Sequence, residues 1–254
     1  MPPNEPLSRS WLLPTTTTVE EAARAADIAV LPVGSFEQHA GHLPLTTDTL
    51  IACILAREVA DAYSLMLLPP ITISCSQEHA GWRGTVWLSA STLYAVIGDV
   101  IASLRVSGVD KLLIVSGHGG NYVLAHVAQE ASIGGRDVTI FPTGDDWREA
   151  RLAAGMEVLD GHEDMHAGEL ETSILLHTVP EVVQDGYASA DYIDQGHPYF
   201  QSTGLRAYTP TGVIGRPSLA TADKGAKALS ELTARAGTHV ALLRTGADDA
   251  PPTP

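Results

Sequence analysis

The chain has 254 residues, with 15 Lys plus Arg against 30 Asp plus Glu, a formal charge of −15, and ten His. This length suits one large α/β domain with an ample core, and the acid excess argues against a nucleic-acid groove or an anionic membrane surface as partner, since either would repel it. Only Cys53 and Cys75 occur, which excludes a disulfide framework and a four-thiolate zinc site, so any metal needs N and O ligands.

Residues 1–10 are polar, without the apolar core of a signal peptide, and no run of eighteen apolar residues follows. The expectation is a soluble, cytoplasmic protein with no membrane partner. Thr17-Thr18-Val19-Glu20 has the spacing of a capping box and predicts a short helix to about Ala26. Ile28 to Val33 is a two-sided apolar run, as a buried parallel strand shows. A helix is predicted from Asp48 to Tyr63, where Leu50, Ile51, Ile54, Leu55 and Val59 recur at helical spacing. Leu65 to Ile73 reads as a strand interrupted by Pro69-Pro70.

Ser91 to Val106 carries a stripe at Leu93, Val96, Ile97, Val100, Ile101 and Leu104, the clearest helix of the sequence. Next come a strand over Lys111–Ser116, a helix over Asn121–Ile133, a strand over Val138–Pro142, and helices over Asp145–Ala154 and Gly168–Thr178. Residues 180–219 read as an ordered excursion over the surface. A helix from Ala220 to Ala236 and a strand from Val240 to Leu243 complete the reading, with flexible tails at 1–10 and 247–254. Alternating strands and helices predict an α/β fold, a three-layer αβα arrangement around a mostly parallel sheet, in a single domain spanning 1–254.

In an open parallel sheet, ligands bind beyond the carboxyl ends of the strands. Three polar segments fall there or at a helix entrance. The first, Gly34 to His42, contains Glu37 and His39, which share a side of an extended segment, with Asp48 opening the next helix. The second is Ser116-Gly117-His118-Gly119-Gly120-Asn121. The third, His162 to Glu171, holds two histidines and four carboxylates in ten residues.

Glu37, His39, Asp48, His118 and Glu171 form a coherent ligand set for two divalent ions. With Asp48 shared, one ion has Glu37, Asp48 and His118, the other His39, Asp48 and Glu171, and each keeps an open position, as catalytic sites do. His166 lies five residues before Glu171, off its helix face, and reads as the acid/base on the preceding loop. The N–H groups of Gly119 and Gly120, expected at a helix N-terminus, read as oxyanion or substrate contacts. His42 and Glu78 read as substrate-side residues.

Val33-Gly34-Ser35-x-Glu37-Gln38-His39-x-x-His42-Leu43-Pro44-Leu45-x-x-Asp48, Gly117-His118-Gly119-Gly120-Asn121 and His166-Ala167-Gly168-Glu169-x-Glu171-Thr172-Ser173 resemble the signature blocks of the creatininase family. The resemblance runs from about Ala29 to Leu176 and recurs over Gly212–Ala228. It implies a three-layer α/β fold and a binuclear centre on the five residues above, with zinc in one site and zinc or manganese in the other; the mixed N and O ligands would also accept iron there. It also implies hydrolysis of a C–N amide bond, with His166 at the acid/base position, and a homo-oligomer, the hexamer being the common form.

Two departures make creatinine an unsuitable substrate: creatininase has a tryptophan where this chain has His162, and a glutamate where it has Gly120. Trp147 is the candidate for a second substrate-covering tryptophan. The leading expectation is hydrolysis of a small cyclic amide or a formamide by a hydroxide bridging the two ions. The alternative is a peptidase trimming a small precursor peptide such as that of mycofactocin.

Two other classes compete. His162-Glu163-Asp164-Met165-His166 is a literal H-E-x-x-H string, the zinc-protease helix motif, but Gly161 before it and Gly168 after it point to a loop. A non-catalytic α/β binding protein would have no need of so many convergent carboxylates and imidazoles, and no dinucleotide or P-loop signature is present. No G-x-S-x-G elbow supports a serine hydrolase. Glu169, Trp82 and Trp87 carry no assigned role.

Overall fold

A computed structural model describes residues 13–194, 196–245 and Asp249. Apart from Asp249, the tails read as flexible lie outside the described residues. Four parallel strands, β1 (Ile28–Val33), β2 (Met66–Leu67), β3 (Lys111–Ser116) and β4 (Val138–Phe141), form one sheet in the order β2-β1-β3-β4. Its central pair is in register from Ile28 opposite Lys111 to Val33 opposite Ser116.

The period of two in β1 divides the core. Ile28 and Val30 pack on one face with α2 (Thr47–Tyr63), α5 (Gly144–Ala153), α6 (Glu169–Thr178) and α8 (Ala222–Arg244). Ala29, Leu31 and Val33 pack on the other with α3 (Ala90–Val106) and α4 (Val123–Ala131). Both faces are covered, which explains why the strands read as continuous apolar runs. The three-layer α/β expectation is met, and α1 (Thr18–Arg24) begins with the Thr17–Glu20 capping box.

The elements differ from the sequence reading in three places. Pro69 and Pro70 have no N–H for the ladder, so β2 stops at Leu67 and pairing resumes only as a bridge between Val33 and Ile71. Helix α4 begins at Val123, not Asn121, because the Asn121 amide is engaged outside it, accepting from Cys75 N at 3.1 Å. The strand expected at Val240–Leu243 is instead the last turns of α8. Leu229, Leu232, Ala236, Val240 and Leu243 are all buried at spacings of three and four, one unbroken helical stripe. Gly237 does not end the helix. A Cβ there would lie 2.6 Å from the Tyr63 hydroxyl, so the glycine permits the close approach of α2.

Residues 180–219 contain short 3-10 turns and one four-residue helix, α7 (Phe200–Thr203). They are tied back by hydrogen bonds such as Gln184 N to His42 O at 2.8 Å.

Two glycines seat α2 on the carboxyl edge of the sheet. A Cβ on Gly34, just after β1, would lie 2.3 Å from Thr49 Cα, and one on Gly117, just after β3, 2.2 Å from Asp48 O. With no side chains there, the first turn of α2 rests against both strand ends. Thr49 Oγ1 then donates to Ser35 O at 2.9 Å, and Ser35 Oγ to Asp48 Oδ2 at 2.6 Å.

Candidate active site

The three polar segments meet at this edge. Glu37, His39 and Asp48 are buried, and the side chains of His118 and Glu171 are 6 % and 20 % exposed. His118 Nδ1 lies 3.2 Å from Glu37 Oε1 and 3.1 Å from Asp48 Oδ2. His39 Nε2 lies 3.0 Å from Asp48 Oδ1 and 3.8 Å from Glu171 Oε1. The donor atoms of Glu37, Asp48 and His118 are mutually within 4.8 Å, as are those of His39, Asp48 and Glu171. These are the two triads sharing Asp48 that the spacing suggested.

The donors fit divalent ions. Both oxygens of Glu37, His39 Nε2 and His118 Nε2 are buried yet make no aligned hydrogen bond, although neighbouring polar atoms lie 3.0–3.2 Å away. Buried polar atoms left without such bonds are costly, and a cation between them would satisfy several at once. The electrostatics agree. Burial alone would lower the basicity of His39 and His118, but Asp48 with Glu171, and Glu37 with Asp48, hold the two imidazoles well above their ordinary range. Burial also pushes Glu37 up to about 7. Such a carboxylate cluster draws positive charge, and metal binding would displace these protons.

His166 stands beside the triads. Its ring lies 4.2 Å from that of His39, and its Nδ1 lies 3.9 Å from Glu37 Oε1. Burial and the neighbouring His39 push it down to about 3, so the neutral ring is favoured. Met165 N and His166 N both donate to Ile214 O, and Ile214 N donates back to His166 O at 3.0 Å. These bonds fix the loop to the 212–214 segment.

Two residues were missed by sequence reasoning. His79, which follows the substrate-side Glu78 and was assigned no role, is buried with Nε2 3.1 Å from Glu37 Oε1. Gln38 was overshadowed by the charged residues on either side of it, and its side chain reaches both His79 and His166. The alternation of the segment gave a faint signal for neither, since both contacts join residues more than forty positions apart.

The remaining sequence-chosen residues divide. Glu78 lies 3.0 Å from His118 Nε2, and a Cβ on Gly120 would fall 1.8 Å from Glu78 Oε1, so the glycine leaves room for that carboxylate. Gly119 and Gly120 line the same cavity as His118, but on the turn before α4 and not in its first turn. His42 stays behind the site, donating from Nε2 to Ala167 O at 3.1 Å. Glu169 is buried and paired with Lys224.

The H-E-x-x-H string is not a helix. Residues 161–164 form a turn, and His162 is exposed, 3.4 Å from His197. Asp164 accepts from Glu169 N at 2.7 Å and Leu170 N at 3.2 Å, capping α6, while Arg151 pairs with it at 3.3 Å. A cavity of about 890 Å³ opens over the donors, walled in part by Tyr122, Trp147, Phe200 and Leu205. Trp82 instead lies under the Arg206 guanidinium, 5.5 Å from its carbon, and Trp87 is exposed.

This fold and edge site resemble known hydrolases. The chain matches the family described as creatinine amidohydrolase over residues 14–240. It is 32 % identical to a mycofactocin precursor peptide peptidase of Mycobacterium ulcerans (strain Agy99), covering 92 % of both chains. It is 26 % identical to a creatinine amidohydrolase of Pseudomonas putida, over 70 % of this chain and 75 % of that one. A crystal structure of creatinine amidohydrolase superimposes with a TM-score of 0.75 at 25 % identity, over 92 % of this chain and 97 % of that one. The chain belongs to the creatininase family, whose members are hydrolases of C–N amide bonds.

Proposed function

We propose that the protein is a cytoplasmic, divalent-metal-dependent amidohydrolase that cuts a peptide bond in a small precursor peptide. The observation that carries this reading is the pair of donor triads sharing Asp48 beneath a cavity of about 890 Å³. That volume is near the top of the roughly 300–1,000 Å³ typical of ligand sites, and its aromatic wall suits peptide side chains. The likeness to precursor peptide peptidases over 92 % of both chains supports the same choice.

Glu37, Asp48 and His118 would hold one ion, and His39, Asp48 and Glu171 the other. Bound there, the ions would supply a Lewis acid for the amide carbonyl and a water acidic enough to ionise near neutral pH. His166 would take up at Nδ1 the proton that the attacking water gives up and pass it to the departing nitrogen, its neutral form being favoured by burial. The N–H groups of Gly119 and Gly120 offer donors to a substrate oxygen. Glu78 beside them makes that corner better suited to a neutral carbonyl than to a substrate carboxylate. A homo-oligomer belongs to the same reading, and the exposed Val86, Trp87, Tyr94 and Val96 offer apolar surface for it.

A second reading is a small cyclic amide or formamide as substrate. It is favoured by the likeness to a creatinine amidohydrolase. The test is to load the purified chain with Zn²⁺ or Mn²⁺ and assay a short-peptide library beside a panel of cyclic amides and formamides, with His118→Ala as control. Peptide cleavage abolished in the control is expected. Turnover of the small amides alone would select the second reading, and a metal-loaded protein inert towards both would refute the amidohydrolase proposal.

A further inference from the structure

Gln38 is buried between His79 and His166, and every polar group it carries is engaged. Its N–H donates to Thr85 Oγ1 at 3.0 Å. Its side-chain Oε1 accepts from Ala40 N at 3.0 Å, which fixes the orientation of the amide: the NH₂ must be the other arm. That arm lies 3.1 Å from His79 Nδ1 and 3.3 Å from Gly212 O. An NH₂ can only donate, so His79 Nδ1 is the bare nitrogen of its ring and Nε2 carries the hydrogen. His79 Nε2–H then lies 3.1 Å from Glu37 Oε1, an electrostatic attraction without an aligned hydrogen bond, whereas the other tautomer would bring a lone pair towards the carboxylate.

The main chain of the same residue decides the second ring. His166 Nε2 lies 2.7 Å from Gln38 O. A carbonyl accepts only, and two acceptors at that distance would repel, so His166 Nε2 is protonated. The Gln38 amide nitrogen, 3.0 Å from His166 Nε2, is then a contact between two donors, and its two hydrogens go to His79 and Gly212. His166 is left with a bare Nδ1, the nitrogen 3.9 Å from Glu37 Oε1. The 212 position is built around this amide. Gly212 has φ +90°, and a Cβ there would lie 2.0 Å from Gln38 Oε1.

We infer that Gln38 is a positioning residue that sets which nitrogen bears the proton in both His79 and His166, its side-chain amide acting on the first and its main-chain carbonyl on the second. The importance of this for turnover rests on the amidohydrolase reading, whereas the tautomers themselves do not. With the proton fixed on Nε2, His166 presents a lone pair to the donor cluster, as an acid/base there requires.

The test is a long-range ¹H–¹⁵N spectrum of the full chain, ¹⁵N-labelled at histidine and loaded with diamagnetic Zn²⁺, for the wild type, Gln38→Glu and Gln38→Met. In the wild type both rings should be protonated at Nε2. Gln38→Glu replaces the donor arm by an acceptor, so His79 should gain a proton at Nδ1. His166, held by the unchanged carbonyl, should stay as it is. On any substrate found, both variants should lose about tenfold or more in kcat with little change in KM, in line with the loss of an outer-shell partner.

A wild-type His166 protonated at Nδ1, or a His79 whose tautomer does not move in Gln38→Glu, overturns the inference. The wild-type spectrum is decisive on the first point even if neither variant folds. If the tautomers are as stated but the loaded protein hydrolyses neither peptides nor amides, the proposed activity fails and the role of Gln38 in fixing the rings stands.

Discussion

Asp48 is the one carboxylate common to both triads, and its removal tests the site more sharply than that of any other donor. Its Oδ1 lies 3.0 Å from His39 Nε2, and its Oδ2 3.1 Å from His118 Nδ1 and 2.6 Å from Ser35 Oγ. Without it each triad keeps only two protein donors, fewer than the three of catalytic sites. Metal content after dialysis against a weak chelator should therefore fall from about two ions per chain to about none in Asp48→Ala, whereas Glu37→Ala or Glu171→Ala should retain about one.

The buried pairing has a second consequence. Burial opposes ionisation of Asp48, but His39 and His118 hold its carboxyl well below the usual range. Removing the charge from this buried group should destabilise the metal-free fold by about 3–5 kcal/mol. Asp48→Asn keeps the shape and is the variant to use if the alanine form is unstable. The assay is elemental analysis beside urea unfolding. An Asp48→Asn protein that still binds one ion tightly would show that the two positions are independent and would refute the shared-ligand arrangement. The exposure of the Glu171 side chain, 20 % against 0 % for Glu37, predicts further that a chelator strips the His39-Asp48-Glu171 position first.

Other expectations lie farther from the centre. Asp146 accepts from Thr143 N, Thr143 Oγ1, Arg235 Nε and His239 Nε2, joining α5 to α8. Burial opposes its ionisation, yet His239 and Thr143 hold its carboxyl below the ordinary range. Asp146→Asn should cost about 1.5–3 kcal/mol at neutral pH. Because the folded pKa is depressed, this stabilisation is complete above the unfolded value near 3.9 and fades as pH falls below it. Urea midpoints of the two proteins should therefore converge in acid, and a constant gap would contradict the assignment. His162→Ala should keep its full metal content, and loss of an ion would restore the H-E-x-x-H reading. Cys53 is 2 % exposed, and burial pushes its thiol up to about 12, so it should resist a thiol reagent until urea unfolds the chain.

What the sequence revealed follows the range of the interactions concerned. Strands and helices were legible because β1 and β3 are apolar on both faces and because Leu93, Ile97, Ile101 and Leu104 repeat at helical spacing, all local patterns. The five candidate donors stood out because they lie in the segments after strands or at a helix start, where an open α/β sheet places its site. The end of α8 was misread because Val240–Leu243 is a short apolar run that reads equally as a strand, and the close approach of Gly237 to Tyr63 joins residues 174 positions apart. His79 escaped because its role depends on a fold that brings an irregular loop to Glu37. The cavity wall was legible only in part: Trp147 was singled out from the sequence and does line it, whereas Phe200 and Leu205 belong to a segment with no periodicity that would pick out single residues.

That wall also bears on how such an enzyme changes its diet. The donors are carried by strand ends and by the helices α2 and α6, which pack into the core, while Phe200 and Leu205 come from the excursion between α6 and α8. Part of the surface that faces the substrate is thus encoded apart from the residues that carry the charged groups, although Tyr122 and Trp147 of the same wall lie beside those residues or on α5. Evolution, or a protein engineer, can vary Phe200 and Leu205 without replacing any of the donor residues themselves. Substrate range in such an architecture can drift quickly while its chemistry stays fixed.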